Sequence, residues 1–244
     1  MSISALVSRS ATYYKRHGFR ETAQRVILAF RRAVFFSRQV VFYCDLGNCA
    51  SPPETVPSFL KLERKKGYND LSAEDLREMV SFWNPTLAQR NIEERVGKGA
   101  SLWLIKSGER LAGYGWTLQG RTIAPYYFPL GPYDVHLFDF YVFPQYRGRG
   151  INPVLVNHIL GNLAADCQSR AFIEAAEWNE AQLASLAKTS FRRLGWVRKL
   201  TVFGRTIVWW DECQGEGLKD GQRDKRDQPI AVSQPERVGV LDKR

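Results

Sequence analysis

The chain has 244 residues, of which 44% are hydrophobic, 13% aromatic and 25% charged, with a formal net charge of +10. This composition is typical of one soluble globular domain with extensions, and no apolar run approaches the ~18 residues of a membrane span. The first residues lack a signal-peptide pattern, and Cys44, Cys49, Cys167 and Cys213 form no CxxC or zinc spacing, so we expect free thiols in the cytoplasm.

Residues 1–57 are predicted to form a basic N-terminal extension. Residues 1–40 carry eight basic side chains and one acidic one, a balance of +7. Apolar residues at three- and four-residue spacing predict an amphipathic helix over residues 19–36. Its apolar face either packs on the domain or makes weak contact with an anionic membrane surface. A strand over residues 40–44 and a proline-rich linker over residues 51–57 follow.

Residues 58–210 alternate between strand and helix patterns and are predicted to form the main domain. Ser72, followed by acidic residues, predicts a capped helix start. Gly195 is interpreted as the end of the last helix, because glycine often follows a helix C-terminus. The predicted strands cover residues 59–63, 102–105, 111–116, 135–142, 171–176, 197–203 and 206–210. One helix is predicted after Ser72 and another after residue 150, and two more cover residues 86–96 and 181–194. Residues 121–133 are predicted to form a loop.

Residues 211–244 differ in composition from the rest of the chain. They hold eight acidic and seven basic residues and almost no apolar clusters. Such a segment cannot bury enough apolar surface to offset the entropy lost on ordering. We therefore predict a disordered, charged tail.

The most informative segment is a glycine turn at residues 145–150, which joins a hydrophobic strand to an apolar helix. Gly148 and Gly150 allow the main chain to approach a ligand or adopt a positive φ. Main-chain N–H groups at the following helix N-terminus favour an anion. The Gly-Lys-Ser/Thr run of a P-loop is absent, and Pro153 stands where a dinucleotide fingerprint requires its third glycine.

This Gln-x-x-Gly-x-Gly pattern, with its preceding strand and following helix, resembles the acyl-CoA-binding motif of the GNAT superfamily of N-acetyltransferases. The resemblance implies an α/β (α+β) fold with a GNAT-like mixed, mostly antiparallel sheet flanked by helices. It also implies acetyl-CoA, or another acyl-CoA, as co-substrate, and no metal. The residues expected to bind it are Tyr141, Val142, Gln145, Tyr146, Arg147, Gly148, Arg149, Gly150, Ile151 and Asn179.

Three residues are candidates for the proton acceptor that the resemblance implies. Glu174 stands five residues before Asn179, as a glutamate does in many members of the family. Asp139 lies inside an otherwise apolar strand, where a carboxylate needs a partner or a raised pKa. His136 is the third candidate, because histidine side chains commonly transfer protons near neutral pH. Each also has a structural interpretation: Glu174 paired with an arginine, Asp139 bonded to a loop, or His136 at an exposed strand end.

Phe191 departs from the family pattern, in which a tyrosine before the final glycine protonates the leaving thiolate. The resemblance implies direct acyl transfer to a primary amine, which we expect to belong to a small molecule. A non-catalytic acyl-CoA-binding module and a longer-chain acyltransferase at a membrane surface are the alternatives. No nucleic-acid-binding signature is present.

Overall fold

The computed structural model of the chain describes residues 38–48, 56–81, 85–202, 205–213 and 230–232. The predicted helix over residues 19–36, and the membrane contact expected of it, lie outside these ranges. Most of the predicted disordered tail lies outside them as well. Among the described residues, no helix has both the length and the apolar character needed to span a membrane.

The described strands form one nine-stranded sheet in the order β2-β3-β4-β5-β6-β1-β7-β8-β9. Only β5 and β6 run parallel to each other, whereas the other neighbouring pairs are antiparallel. The predicted mixed, mostly antiparallel sheet flanked by helices is confirmed. The strands are β1 (Gln39–Asp45), β2 (Leu60–Lys65), β3 (Ser101–Ser107), β4 (Arg110–Gln119), β5 (Asp134–Val142), β6 (Arg170–Ala176), β7 (Arg192–Val202), β8 (Arg205–Cys213) and β9 (Ile230–Val232).

Four described α-helices flank the sheet: α1 (Ala73–Ser81), α2 (Pro85–Gly97), α3 (Ile151–Ala165) and α4 (Glu180–Leu186). The start of α1 is confirmed, since the Asp75 main-chain N–H donates to the Ser72 hydroxyl at 3.0 Å. Such caps satisfy N–H groups that have no partner inside a helix.

Successive side chains of β5 belong to different apolar clusters, one on each face of the sheet. Val135 and Leu137 belong to the apolar cluster that α3 builds on one face. Phe138 belongs to the cluster of α1, α2, β3 and β4 on the other face. Since successive strand residues point to opposite faces, His136 shares the second face with Phe138.

The strand predicted over residues 40–44 is confirmed, but its position corrects the predicted domain boundary. β1 pairs with β6 along one edge and with β7 along the other, so it lies inside the sheet. Residues 39–45 are therefore part of the main domain and not of a separate extension. At the other end, β8 continues to Cys213 and pairs with β9, so the sheet extends past residue 210.

The helix predicted over residues 181–194 is wrong in its second half. α4 ends at Leu186, and β7 begins at Arg192. The Thr189 hydroxyl donates to the Leu186 carbonyl at 2.7 Å, a local bond that competes with helix continuation. Gly195 is not a helix cap, because it pairs with Val41 inside the sheet.

Candidate active site

The glycine turn lies where β5 ends and α3 begins. Residues 144–146 form a single 3-10 turn, and Gly150 is the N-cap of α3. Gly148 has a φ of +76° and Gly150 a φ of +75°, a region that side chains with a Cβ rarely adopt. A Cβ built on either glycine would meet nothing within 4 Å, so both face open space.

The main-chain N–H groups of this turn fit an anionic ligand. Within the described chain, the N–H groups of residues 148–152 make no hydrogen bond of normal geometry. Pro153, the third residue of α3, has no N–H group to satisfy. The guanidinium of Arg147 is anchored on the Val142 carbonyl at 3.1 Å, and Arg149 lies over the Tyr146 ring. Free donors, a helix N-terminus and two cations together suit a diphosphate.

A gap between two parallel strands opens beside this turn. β5 and β6 pair only from Asp134 and Arg170 as far as Leu137 and Ile173. Beyond this point no described strand pairs with β5 on that side over its last five residues, while β6 pairs with β1 among the described strands. We call this opening the strand gap. It exposes the main-chain edge of β5 over residues 138–142.

A bulge in β5 shapes one wall of the strand gap. The register between β4 and β5 shifts opposite Gly115, and Asp139 has a positive φ of +50°. The Phe140 ring lies directly over Gly115, where an added Cβ would approach it to 2.4 Å. An added Cβ on Gly113 would lie 2.7 Å from the Tyr141 carbonyl oxygen. These two glycines therefore let the bulged strand come close to β4.

Two of the three candidate proton acceptors lie side by side at the strand gap. His136 Nε2 is 2.9 Å from Glu174 Oε2. His136 is buried, with 5% of its surface exposed, whereas 26% of the Glu174 side chain is exposed. The pairing arises because His136 faces Phe172 in register and Glu174 is two residues further along the same face of β6. His136 is therefore not at an exposed strand end, and among the described residues the partner of the Glu174 carboxylate is His136 and not an arginine.

The structure does not bring Asp139 to this pair. Its carboxylate bonds to Arg95 of α2 at 2.5 Å, and 47% of the side chain is exposed. The guanidinium of Arg95 also lies over the Trp116 and Phe138 rings, at 5.2 and 5.5 Å. The bulge turns Asp139 out of the strand pattern, so the expectation of a buried carboxylate here was wrong. The Asp139–Arg95 ion pair joins α2 to the bulge of β5.

The remaining predicted positions lie around the strand gap. Tyr141 and Val142 are the last residues of β5, before the glycine turn. The Asn179 side chain caps α4, accepting from the Gln182 N–H at 3.2 Å. Phe191 is buried just before β7, outside α4.

Two side chains to which the sequence assigned no role complete the surroundings of Glu174: Tyr126 and Lys199. Tyr126 packs on His136 with 4.7 Å between ring centroids. Lys199 donates to the Pro125 carbonyl at 3.0 Å. The aromatic run at residues 126–128 was the only sequence signal for this region, because the sheet order that brings Lys199 near Glu174 is not a local property.

Residues 68–191, half of the chain, match the Acetyltransferase (GNAT) family. The matched segment includes the glycine turn, the strand gap and Glu174. The chain belongs to the GNAT acetyltransferase family. Membership supports acyl transfer from an acyl-CoA donor as the general reaction, which agrees with the anion-binding geometry of the turn.

Several solved structures are similar to this GNAT chain at low sequence identity. A GNAT-family protein from Novosphingobium aromaticivorans is 13% identical, with a TM-score of 0.44, over 66% of this chain and 61% of that one. A GNAT-family acetyltransferase from Colwellia psychrerythraea is 12% identical, with a TM-score of 0.48, over 64% and 53%. A tandem GNAT protein from the clavulanic acid pathway is 18% identical, with a TM-score of 0.47, over 68% and 55%. The chain thus covers less than two thirds of the length of each.

Proposed function

We propose that this GNAT protein transfers an acyl group, such as acetyl, from acyl-CoA directly to a primary amine of a small molecule. The observation that carries the proposal is the position of the Glu174–His136 pair at the strand gap that leads from the glycine turn. Direct acylation of an amine requires a site that binds the phosphates of the donor and a carboxylate that accepts the amine proton. Here both lie beside the strand gap.

The glycine turn supports binding of the donor. The unbonded N–H groups of residues 148–152 would hold the diphosphate of CoA, with Arg147 and Arg149 adding positive charge. The exposed edge of β5 would hold the remainder of the donor, and its N–H groups suit the oxyanion that forms during attack. When bound, acyl-CoA supplies the activated thioester carbon.

The geometry divides the roles of Glu174 and His136. His136 faces Glu174 through Nε2, whereas its Nδ1 is buried without a hydrogen-bond partner in the described chain. A proton on Nδ1 would be a buried donor with no acceptor, which costs about 1–3 kcal/mol. The proton therefore belongs on Nε2, donated to the carboxylate. Glu174, the more exposed partner, then accepts the proton of the attacking amine, and His136 positions it.

The transfer needs no acyl-enzyme. The amine nitrogen bonds to the thioester carbon, the carbon–sulfur bond breaks, and the amine proton passes to Glu174. α4 contains no tyrosine, so the thiolate takes its proton from solvent. The Phe138 ring lies 5.2 Å from His136, and a small amine can reach the partly exposed Glu174 carboxylate beside it.

The test is release of free thiol from acetyl-CoA in the presence of a panel of small primary amines. We expect release that depends on the amine, and a loss of about 10²-fold or more in Glu174→Gln. The affinity of this variant for CoA should stay within about twofold of wild type, because the Glu174 carboxylate is not part of the glycine turn. Glu180→Gln, which removes an exposed carboxylate from the first turn of α4, is the matched control and should retain activity.

Two results would contradict the proposal. Tight CoA binding without thiol release, under any amine, would make the protein a binding module. Wild-type release by Glu174→Gln would show that this carboxylate is not the base.

A further inference from the structure

The loop between β4 and β5 places a buried phenol beside Glu174. Tyr126 is 5% exposed, and its ring packs against His136. Its hydroxyl oxygen is buried and makes no hydrogen bond of normal geometry within the described chain. A buried hydroxyl without a partner is uncommon and calls for an explanation.

The group that the Tyr126 hydroxyl can serve is Glu174. Burial, followed by the negative charge of Glu174, raises the pKa of Tyr126 well above its ordinary value. Tyr126 therefore remains a phenol that can donate a hydrogen bond. The hydroxyl interacts electrostatically with the carboxylate of Glu174.

The loop is fixed on both sides of Tyr126. Lys199 of β7 donates to the Pro125 carbonyl at 3.0 Å and lies over the Tyr127 ring at 4.9 Å. Burial lowers the pKa of Lys199, while the charge of Glu174 acts in the opposite direction. On the other side, the Phe128 ring packs on Phe172 of β6 at 5.1 Å.

We propose that Tyr126 is a positioning residue for Glu174, donating a second hydrogen bond to the carboxylate that His136 already holds, with Lys199 fixing the loop that carries it. The proposal rests on the proposed function, in which Glu174 accepts the amine proton. Two donors on the inner side would leave the outer side of the carboxylate turned to the strand gap. The fold thus supplies one donor from β5 and one from the loop.

The expected effect on activity follows from the groups around Glu174. These are His136 from β5, Tyr126 and Tyr127 from the loop, and Lys199 from β7. A carboxylate held by two donors keeps one orientation towards the attacking amine. Removing one donor should therefore lower kcat and leave KM for acetyl-CoA unchanged.

The experiment compares the kcat and KM of Tyr126→Phe with those of wild type in amine-dependent thiol release. We expect kcat to fall by about tenfold, with KM for acetyl-CoA unchanged. The matched control is Tyr133→Phe, which removes the same atom from a side chain that is 59% exposed, and its kcat should not change. Thermal unfolding confirms that each variant is folded.

Lys199 provides a second, independent pair of variants. Lys199→Met should also lower kcat at unchanged KM, because it releases Pro125 and with it the loop that carries Tyr126, and Lys199→Arg should restore most of the rate. An unchanged kcat in folded Tyr126→Phe overturns the proposal while leaving the base assignment intact. Full activity in Glu174→Gln overturns both, so the two failures are distinguishable.

Discussion

Replacing Gly115 by alanine tests whether the Phe140 ring and the bulge of β5 define the wall of the strand gap. The new Cβ would lie 2.4, 2.6 and 2.7 Å from three atoms of that ring. Since ordinary carbon contacts begin near 3.5 Å, the ring must retreat by about 1 Å. Phe140 packs against the α3 cluster, so the retreat displaces other side chains.

Overpacking of this kind costs about 1–3 kcal/mol of unfolding free energy. A loss of about 2 kcal/mol lowers Tm by about 4–8 °C in a domain of this size. Urea unfolding of Gly115→Ala measures the loss. Gly97→Ala is the matched control, because a Cβ at Gly97 meets nothing within 4 Å, and it should stay within about 0.5 kcal/mol of wild type.

A double-mutant cycle separates the ring from other causes. In a Phe140→Ala background the space above Gly115 is empty, so adding the same methyl group should cost less than about 0.5 kcal/mol. Wild-type stability of Gly115→Ala, or an equal cost in both backgrounds, would refute the reasoning.

Three further predictions concern stability. Asp134→Asn should cost about 2–3 kcal/mol in urea unfolding, because the buried carboxylate accepts two bonds from Arg170, at 2.9 and 2.8 Å; wild-type stability would contradict this. The Lys61 hydrogen bond lowers the pKa of Glu63 from 4.5 to about 2, so its contribution to stability is present above pH 4.5 and is lost as pH falls towards 2. Glu63→Gln should therefore unfold with a shallower pH dependence in that window, and an unchanged slope would count against it. Removing residues 1–37 should leave a cooperative thermal transition, whereas removing residues 1–48 should abolish it, because β1 lies inside the sheet.

Most of the fold could be predicted from local patterns. The β3–β4 hairpin, the capped α1, α2, and the strand, glycine turn and helix around residues 145–150 all follow from apolar periodicity and turn residues. These elements form where the sequence indicates, because their own packing faces agree with their local preferences.

Two features depend on long-range contacts and could not be predicted locally. The sequence of β1 predicts a strand, but its position between β6 and β7 depends on partners more than 120 residues away. Because of the same contacts, residues 192–194, which were predicted to be helical, form the start of β7. Here pairing with β1 outweighs the intrinsic preference of the segment.

In the candidate site too, one part could be predicted from local sequence and another part depends on long-range contacts. The glycine turn was predictable because its chemistry is contiguous in sequence. The Glu174–His136 pair was not, since it depends on the register of β5 against β6. Asp139 was a candidate because its strand is apolar, but the bulge and Arg95 place its carboxylate elsewhere.

The most direct test of the account is calorimetric titration of coenzyme A into the wild-type protein and two glycine variants. Gly148→Val places a side chain in the open space of the turn, whereas Gly108→Val imposes similar strain, at a φ of +60°, in the β3–β4 turn. We expect uptake by the wild type, a loss of about tenfold or more in the affinity of Gly148→Val, and near-normal affinity in Gly108→Val. No uptake by the folded wild type, or unchanged affinity in Gly148→Val, would contradict it.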